Sequence, residues 1–137
     1  MTVDENWMLD EVATVRGVRH AVVLSADGLV RTHSAQTSKD DAERLAAACA
    51  GLKSIGQSLA RQFGTGIGNS RQVMVEFDGH GGYLFVRGAG DGSHLAVITE
   101  QSVDPALIAQ QMQAQVLKIG EANFSTPQRA DARGSGG

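Results

Sequence analysis

Residues 63–77, FGTGIGNSRQVMVEF, place glycines at 64, 66 and 68 beside Thr65 and Ser70. Glycines at that density can open a loop whose backbone N–H groups cradle a phosphate, which is the chemistry of a nucleotide-binding enzyme. Such loops run from a strand through the glycines into a helix, whose N-terminus supplies free N–H groups and the positive end of the dipole. Here the order is reversed, because a helical pattern precedes Gly64 and a strand pattern follows Ser70. The helix end nearest the glycines presents carbonyls and partial negative charge, which repel phosphate. No Lys-Ser or Lys-Thr pair follows them. We read Gly64 as a helix C-cap and 65–70 as a flexible connection, with glycine serving for the positive φ it allows. GAGDG (88–92), between two strand patterns, reads as a hairpin turn.

Other reactive side chains form no set. His20, His33, His80 and His94 include no pair at i, i+4 spacing and no accompanying cysteine run, so the pattern gives no zinc site. Cys49 falls in the apolar seam of a helix and reads as a small buried hydrophobe rather than a reactive thiol. No Gly-x-Ser-x-Gly elbow occurs. Asp27, Asp78 and Asp91 each stand beside a glycine at a strand end. They would make a carboxylate cluster if the turns converged, but Asp in a turn commonly bonds its own backbone. Trp7 reads as packing that could also anchor a partner. With no catalytic set, no cofactor motif and no metal motif, the sequence points to a binding module rather than an enzyme.

The elements that hold these residues follow from pattern. The 137-residue chain suits one domain, read as 1–124, with a disordered tail over 125–137 (STPQRADARGSGG from Ser125 on) that lacks apolar periodicity. It is 42% hydrophobic but only 4% aromatic, so the core is built from Val, Leu, Ile and Ala. A net charge of −3 without a Lys/Arg cluster argues against nucleic-acid binding. One cysteine permits no intrachain disulfide and fits a reducing compartment. No apolar run approaches the ~20 residues of a membrane span. The acidic start MTVDENWMLDEV is unlike a signal peptide, so the expected location is cytoplasmic.

Asp4 caps a first helix to about Val15, with Met8, Leu9, Val12 and Val15 on one face and Gly17 as its stop. Strands over 18–25 and 29–34 flank an Ala-Asp-Gly turn. A long helix over 38–63 starts at a Ser38/Asp41 capping pair. Acidic Asp40, Asp41 and Glu43 near its start and Arg61 near its end suit the helix dipole. Leu45, Cys49, Leu52, Leu59 and Phe63 form its apolar seam, with Gly56 inside it and alanines alongside. Strands over 71–78, 83–89 and 94–100 are joined by GHGG and GDG turns. A last helix begins at Asp104-Pro105, with Leu107, Ile108, Met112, Val116 and Ile119 on its apolar face. The order α-β-β-α-β-β-β-α predicts an α/β (α+β) fold. Its five-stranded antiparallel sheet carries the long middle helix on one face and the terminal helices on the other. The strand RQVMVEF could lie at an open edge, which calls for a partner.

The segments GVRHAVVLSADGLVRTHS, DDAERLAAACAGLKSIGQSLARQFG, VMVEFDGHGGYLFVRGAGDGSHLAVIT and LIAQQMQAQVLKIG together resemble the roadblock family, named for a dynein light chain. The resemblance covers about residues 5–122 and is strongest to bacterial members, of actinobacterial type, that accompany small Ras-like GTPases. It implies a roadblock/profilin-like fold and a homodimer, or a heterodimer with a paralogue. In that dimer, helix 38–63 packs on its counterpart and strand 71–78 pairs with its own copy. On this sequence the implied dimer interface is Leu45, Cys49, Leu52, Leu59, Val73, Val75 and Phe77. The implied partners are a small Ras-like GTPase and, in actinobacterial sets, a sensor kinase complex. The role implied is that of a non-enzymatic regulator or scaffold without cofactor. The polar side of the long helix, Lys39, Glu43, Arg44, Lys53, Gln57 and Arg61, is the candidate partner surface. No arginine finger is assigned among Arg44, Arg61 and Arg71. The rival reading is a small-molecule sensor of similar α/β fold, against which stands the lack of polar groups converging on an apolar pocket.

Overall fold

The computed structural model describes residues 7–124. The Asp4 cap and the 125–137 tail therefore lie outside the described residues. The elements are α1 (Asp10–Ala13), β1 (Val18–Leu24), β2 (Val30–His33), α2 (Lys39–Phe63), β3 (Gln72–Phe77), β4 (Gly82–Gly88), β5 (His94–Thr99) and α3 (Pro105–Phe124). This is the expected order. The strands form one antiparallel sheet in the order β2-β1-β5-β4-β3. The last strand in sequence, β5, lies at the centre, and β2 and β3 are the two edges.

Strand alternation sorts the core into two layers. Ala21, Val23, Phe85, Leu95 and Val97 point to one face, where Met8 and Leu9 just before α1, Val12 of α1, and Ile108, Met112 and Ile119 of α3 cover them. Val22, Leu24, Leu84, Val86 and Ala96 point to the other, under Ala42, Ala46 and Cys49 of α2. Each fully buried Leu or Val contributes about 1.5–3 kcal/mol of transfer free energy. The Met8, Leu9, Val12 and Val15 face is buried as expected, although α1 itself is shorter than the helix read from the sequence. Leu107 departs from expectation. It stays exposed on α3 while Ile108, Met112, Val116 and Ile119 pack inward.

Local chemistry fixes the turns. Gly28 closes the β1–β2 hairpin at φ 87°, with its N–H donating to the Ser25 carbonyl at 3.0 Å, and a side chain there would strain the backbone. Ser38 Oγ accepts from the Asp41 N–H at 3.0 Å and starts α2. Asp104 Oδ1 accepts from the Ala106 N–H at 3.0 Å and starts α3. Gly64 ends α2, its N–H donating to the Ala60 carbonyl at 2.9 Å, but in extended conformation (φ −72°) rather than the positive φ expected. The left-handed residue of that loop is Gly68, at φ 85°.

Candidate protein-interaction surface

Helix α2 turns about 100° per residue, so its sheet-facing line is Ala42, Ala46, Cys49 and Lys53, all buried. Small side chains at the first three positions let the helix axis lie close to the sheet. The large apolar residues fall on a neighbouring stripe. Leu45 and Leu52 are half-buried against the α2-side core. Ile55, Leu59 and Phe63 continue the stripe and are 60%, 53% and 74% exposed.

Edge strand β3 runs beside this stripe. Val73, Val75 and Phe77 are half-buried and pack on the same core layer, while Gln72, Met74 and Glu76 are exposed. A Cβ placed at Gly56 would sit 3.2 Å from Val73 Cγ2, which shows how closely the helix passes the strand. Only β4 pairs with β3 among the described residues, so one side of its backbone offers N–H and C=O groups to a further strand. An apolar helix flank and an open strand edge thus share one side of the molecule.

Six of the seven residues expected at a dimer interface belong to this region: Leu45, Leu52, Leu59, Val73, Val75 and Phe77. Cys49 does not, since it faces the sheet and is completely buried within the chain. Burial pushes its thiol pKa up to about 12, which disfavours the reactive thiolate.

The six polar residues expected to form one partner surface differ in exposure and in partners. Lys39, Glu43 and Arg61 lie exposed on the flank away from the apolar stripe. Arg44 is turned outward and pairs with Asp41 at 2.9 Å, an exposed contact worth well under about 1 kcal/mol. Gln57 is half-buried, donating to Asn69 Oδ1 at 3.1 Å and accepting from the Ser70 N–H. Lys53 is 6% exposed, and its Nζ donates to the Ser70 carbonyl at 2.7 Å. Gln57 and Lys53 therefore tie the 64–71 loop to the helix. Sequence periodicity could not reveal this, because both bonds depend on the loop folding back.

The acidic turns do not assemble into a catalytic group. Asp27 and Asp91 share one end of the sheet, and Asp78 sits in the β3–β4 turn at the other. Ser25 Oγ donates to Asp27 at 2.6 Å and lowers its pKa. Arg31 Nη1 donates to Asp91 Oδ2 at 3.1 Å and to Ser93 Oγ at 2.6 Å, bracing the β1–β2 hairpin against the β4–β5 turn. Among the described residues no His, Cys, Asp or Glu cluster could hold a metal ion, and no helix is long and apolar enough to cross a membrane.

Known proteins share this architecture. The family described as Roadblock/LC7 domain matches residues 5–99. A Roadblock/LC7 domain from Streptomyces avermitilis is 36% identical, with a TM-score of 0.79, over 88% of this chain and 98% of that one. The gliding protein MglB from Thermus thermophilus superposes with a TM-score of 0.75 at 15% identity, over 92% of this chain and 95% of that one. Acanthamoeba castellanii profilin II shares the fold more distantly, with a TM-score of 0.56 at 15% identity, over 86% and 99% of the two chains. No curated protein matches this chain.

Proposed function

Because the chain belongs to the Roadblock/LC7 family, we propose that it acts as a homodimeric, non-enzymatic regulator or scaffold for a small Ras-like GTPase in the cytoplasm. One observation carries the dimer. The exposed Ile55, Leu59 and Phe63 stripe of α2 lies beside the unpaired edge of β3. A second copy related by a twofold axis would cover both at once, pairing β3 with β3 and packing α2 on α2. A lone monomer would leave an apolar patch and a strand edge facing water.

The GTPase role rests on the family and on the absence of a catalytic constellation among the described residues. The protein would orient the GTPase's own loops or tether it, contributing no hydrolytic group. A heterodimer with a paralogue would use the same surface, and a sensor kinase would be a further member of the assembly. The test is a pull-down from native lysate with GDP and with a non-hydrolysable GTP analogue, read by mass spectrometry. Recovery of a small GTPase in one lane alone supports a nucleotide-sensitive regulator, and equal recovery supports a scaffold. If neither lane yields a GTPase, the functional reading fails even where the dimer stands.

A further inference from the structure

A cavity of about 670 Å³ opens between the C-terminal half of α2, the 64–71 loop and the β4–β5 turn. Its size lies within the range of small-molecule sites. Lys53, Arg71 and His94 line it, and none of its lining residues is acidic. Asp91, in the adjoining turn, is held by Arg31 and Ser93.

Lys53 is buried and His94 half-buried, and among the described residues neither has its full set of partners. The Lys53 ammonium has three N–H donors. Among the described residues its one hydrogen bond goes to the Ser70 carbonyl and no carboxylate pairs with it. A buried charge is costly unless it is paired. His94 has a buried Nδ1 with no hydrogen-bond partner among the described residues. Its ring and Lys53 converge over Gly88, where a Cβ would sit 3.8 Å from His94 Nε2 and 3.8 Å from Lys53 Nζ. The glycine leaves that space free. Burial first, and then the Lys53 charge, hold His94 towards its neutral form, while Asp91 pulls the other way.

We propose that this cavity binds a small molecule through an oxyanion, phosphate or carboxylate, seated over Gly88 against Lys53 and His94 with Arg71 at the mouth. The oxyanion supplies the acceptor the ammonium lacks. The cavity exceeds what one such group fills, so the rest of the ligand extends along the 64–71 loop past Gln57 and Asn69. The site stands apart from the α2 stripe and the β3 edge and does not depend on the GTPase reading.

The experiment is NMR of the histidine rings in the full chain at constant ionic strength, titrating inorganic phosphate in one series and succinate in another. The His94 ring signal should move saturably with at least one anion, while His20, His33 and His80 stay still. The responding anion identifies the oxyanion class. Lys53→Met, which keeps the apolar stem, and Arg71→Gln, at an exposed position, should each weaken binding about tenfold, as expected for loss of one charge-assisted contact. The absence of a saturable His94 shift with either anion overturns the proposal. So does an unchanged affinity in Arg71→Gln, whose fold is not at risk.

Discussion

Leu59→Glu should dissociate the proposed dimer while leaving the protomer folded. Leu59 is 53% exposed in the protomer, so about half of the ~1.5–3 kcal/mol available from burying a leucine remains to be gained on association. That is about 1 kcal/mol per copy, and a twofold interface counts each substitution twice. Leu59→Ala should then weaken dimerisation by about 2 kcal/mol, or roughly 30-fold in Kd. A glutamate adds the cost of desolvating charge at the same place and should leave monomer at micromolar concentration. Sedimentation equilibrium over a concentration series measures both variants, and urea unfolding of each monomer checks the fold. Leu117 of α3 is also 53% exposed and lies off this surface, so Leu117→Glu is a control matched in exposure. Equal dimer affinity in Leu59→Glu and wild type would refute the assignment. Equal weakening by Leu117→Glu would refute its location.

Four further outcomes follow from the helix itself. Cys49 keeps its proton up to about 12 in the folded chain and loses it near the ordinary 9.0 when unfolded. The unfolded state therefore binds fewer protons in that window, and stability falls as pH rises through it. The loss is about 1.4 kcal/mol per pH unit, read as a shrinking gap between wild type and Cys49→Ala in denaturant titrations above pH 9. Ser38→Ala removes the cap on the Asp41 N–H and should cost about 1 kcal/mol in the same assay. A Cβ at Gly51 would meet nothing within 4 Å, so Gly51→Ala should gain up to about 1 kcal/mol from helix propensity. Gly56→Ala should gain nothing, because its Cβ would press on Ser70 Oγ at 2.9 Å and on Val73. Equal gains at both glycines would contradict the close approach of α2 to β3.

The sequence announced most of its elements through local chemistry, although Gly64 ends α2 without the positive φ expected of it. Ser38 and Asp104 cap, Gly28 turns, and the continuous apolar runs AVVL and YLFV mark strands buried on both faces. What it concealed depends on distance and size. A seam read from apolar spacing groups Leu45, Leu52, Leu59 and Phe63 with Cys49 on one line. The helix instead turns Ala42, Ala46 and Cys49 to the sheet, because small residues allow the closest approach. Lys53 on that inward line could not be foreseen, since its acceptor is a carbonyl supplied by the returning loop. The cavity was equally hidden. Its cations come from α2, the loop before β3, and β5, and no single stretch of chain contains more than one of them.

The central place of β5 bears on how the chain assembles during synthesis. Each hairpin, β1–β2 and β3–β4, can close on itself from residues that are near neighbours along the chain. The two halves meet only through β5, which pairs with β1 on one side and β4 on the other. Until His94–Thr99 has left the ribosome, α2 has two unjoined ribbons beneath it and no continuous surface to settle on. Such late, long-range pairing slows folding. A nascent chain stalled before residue 94 should be open to protease throughout, and one stalled well beyond residue 124 should be protected as a unit.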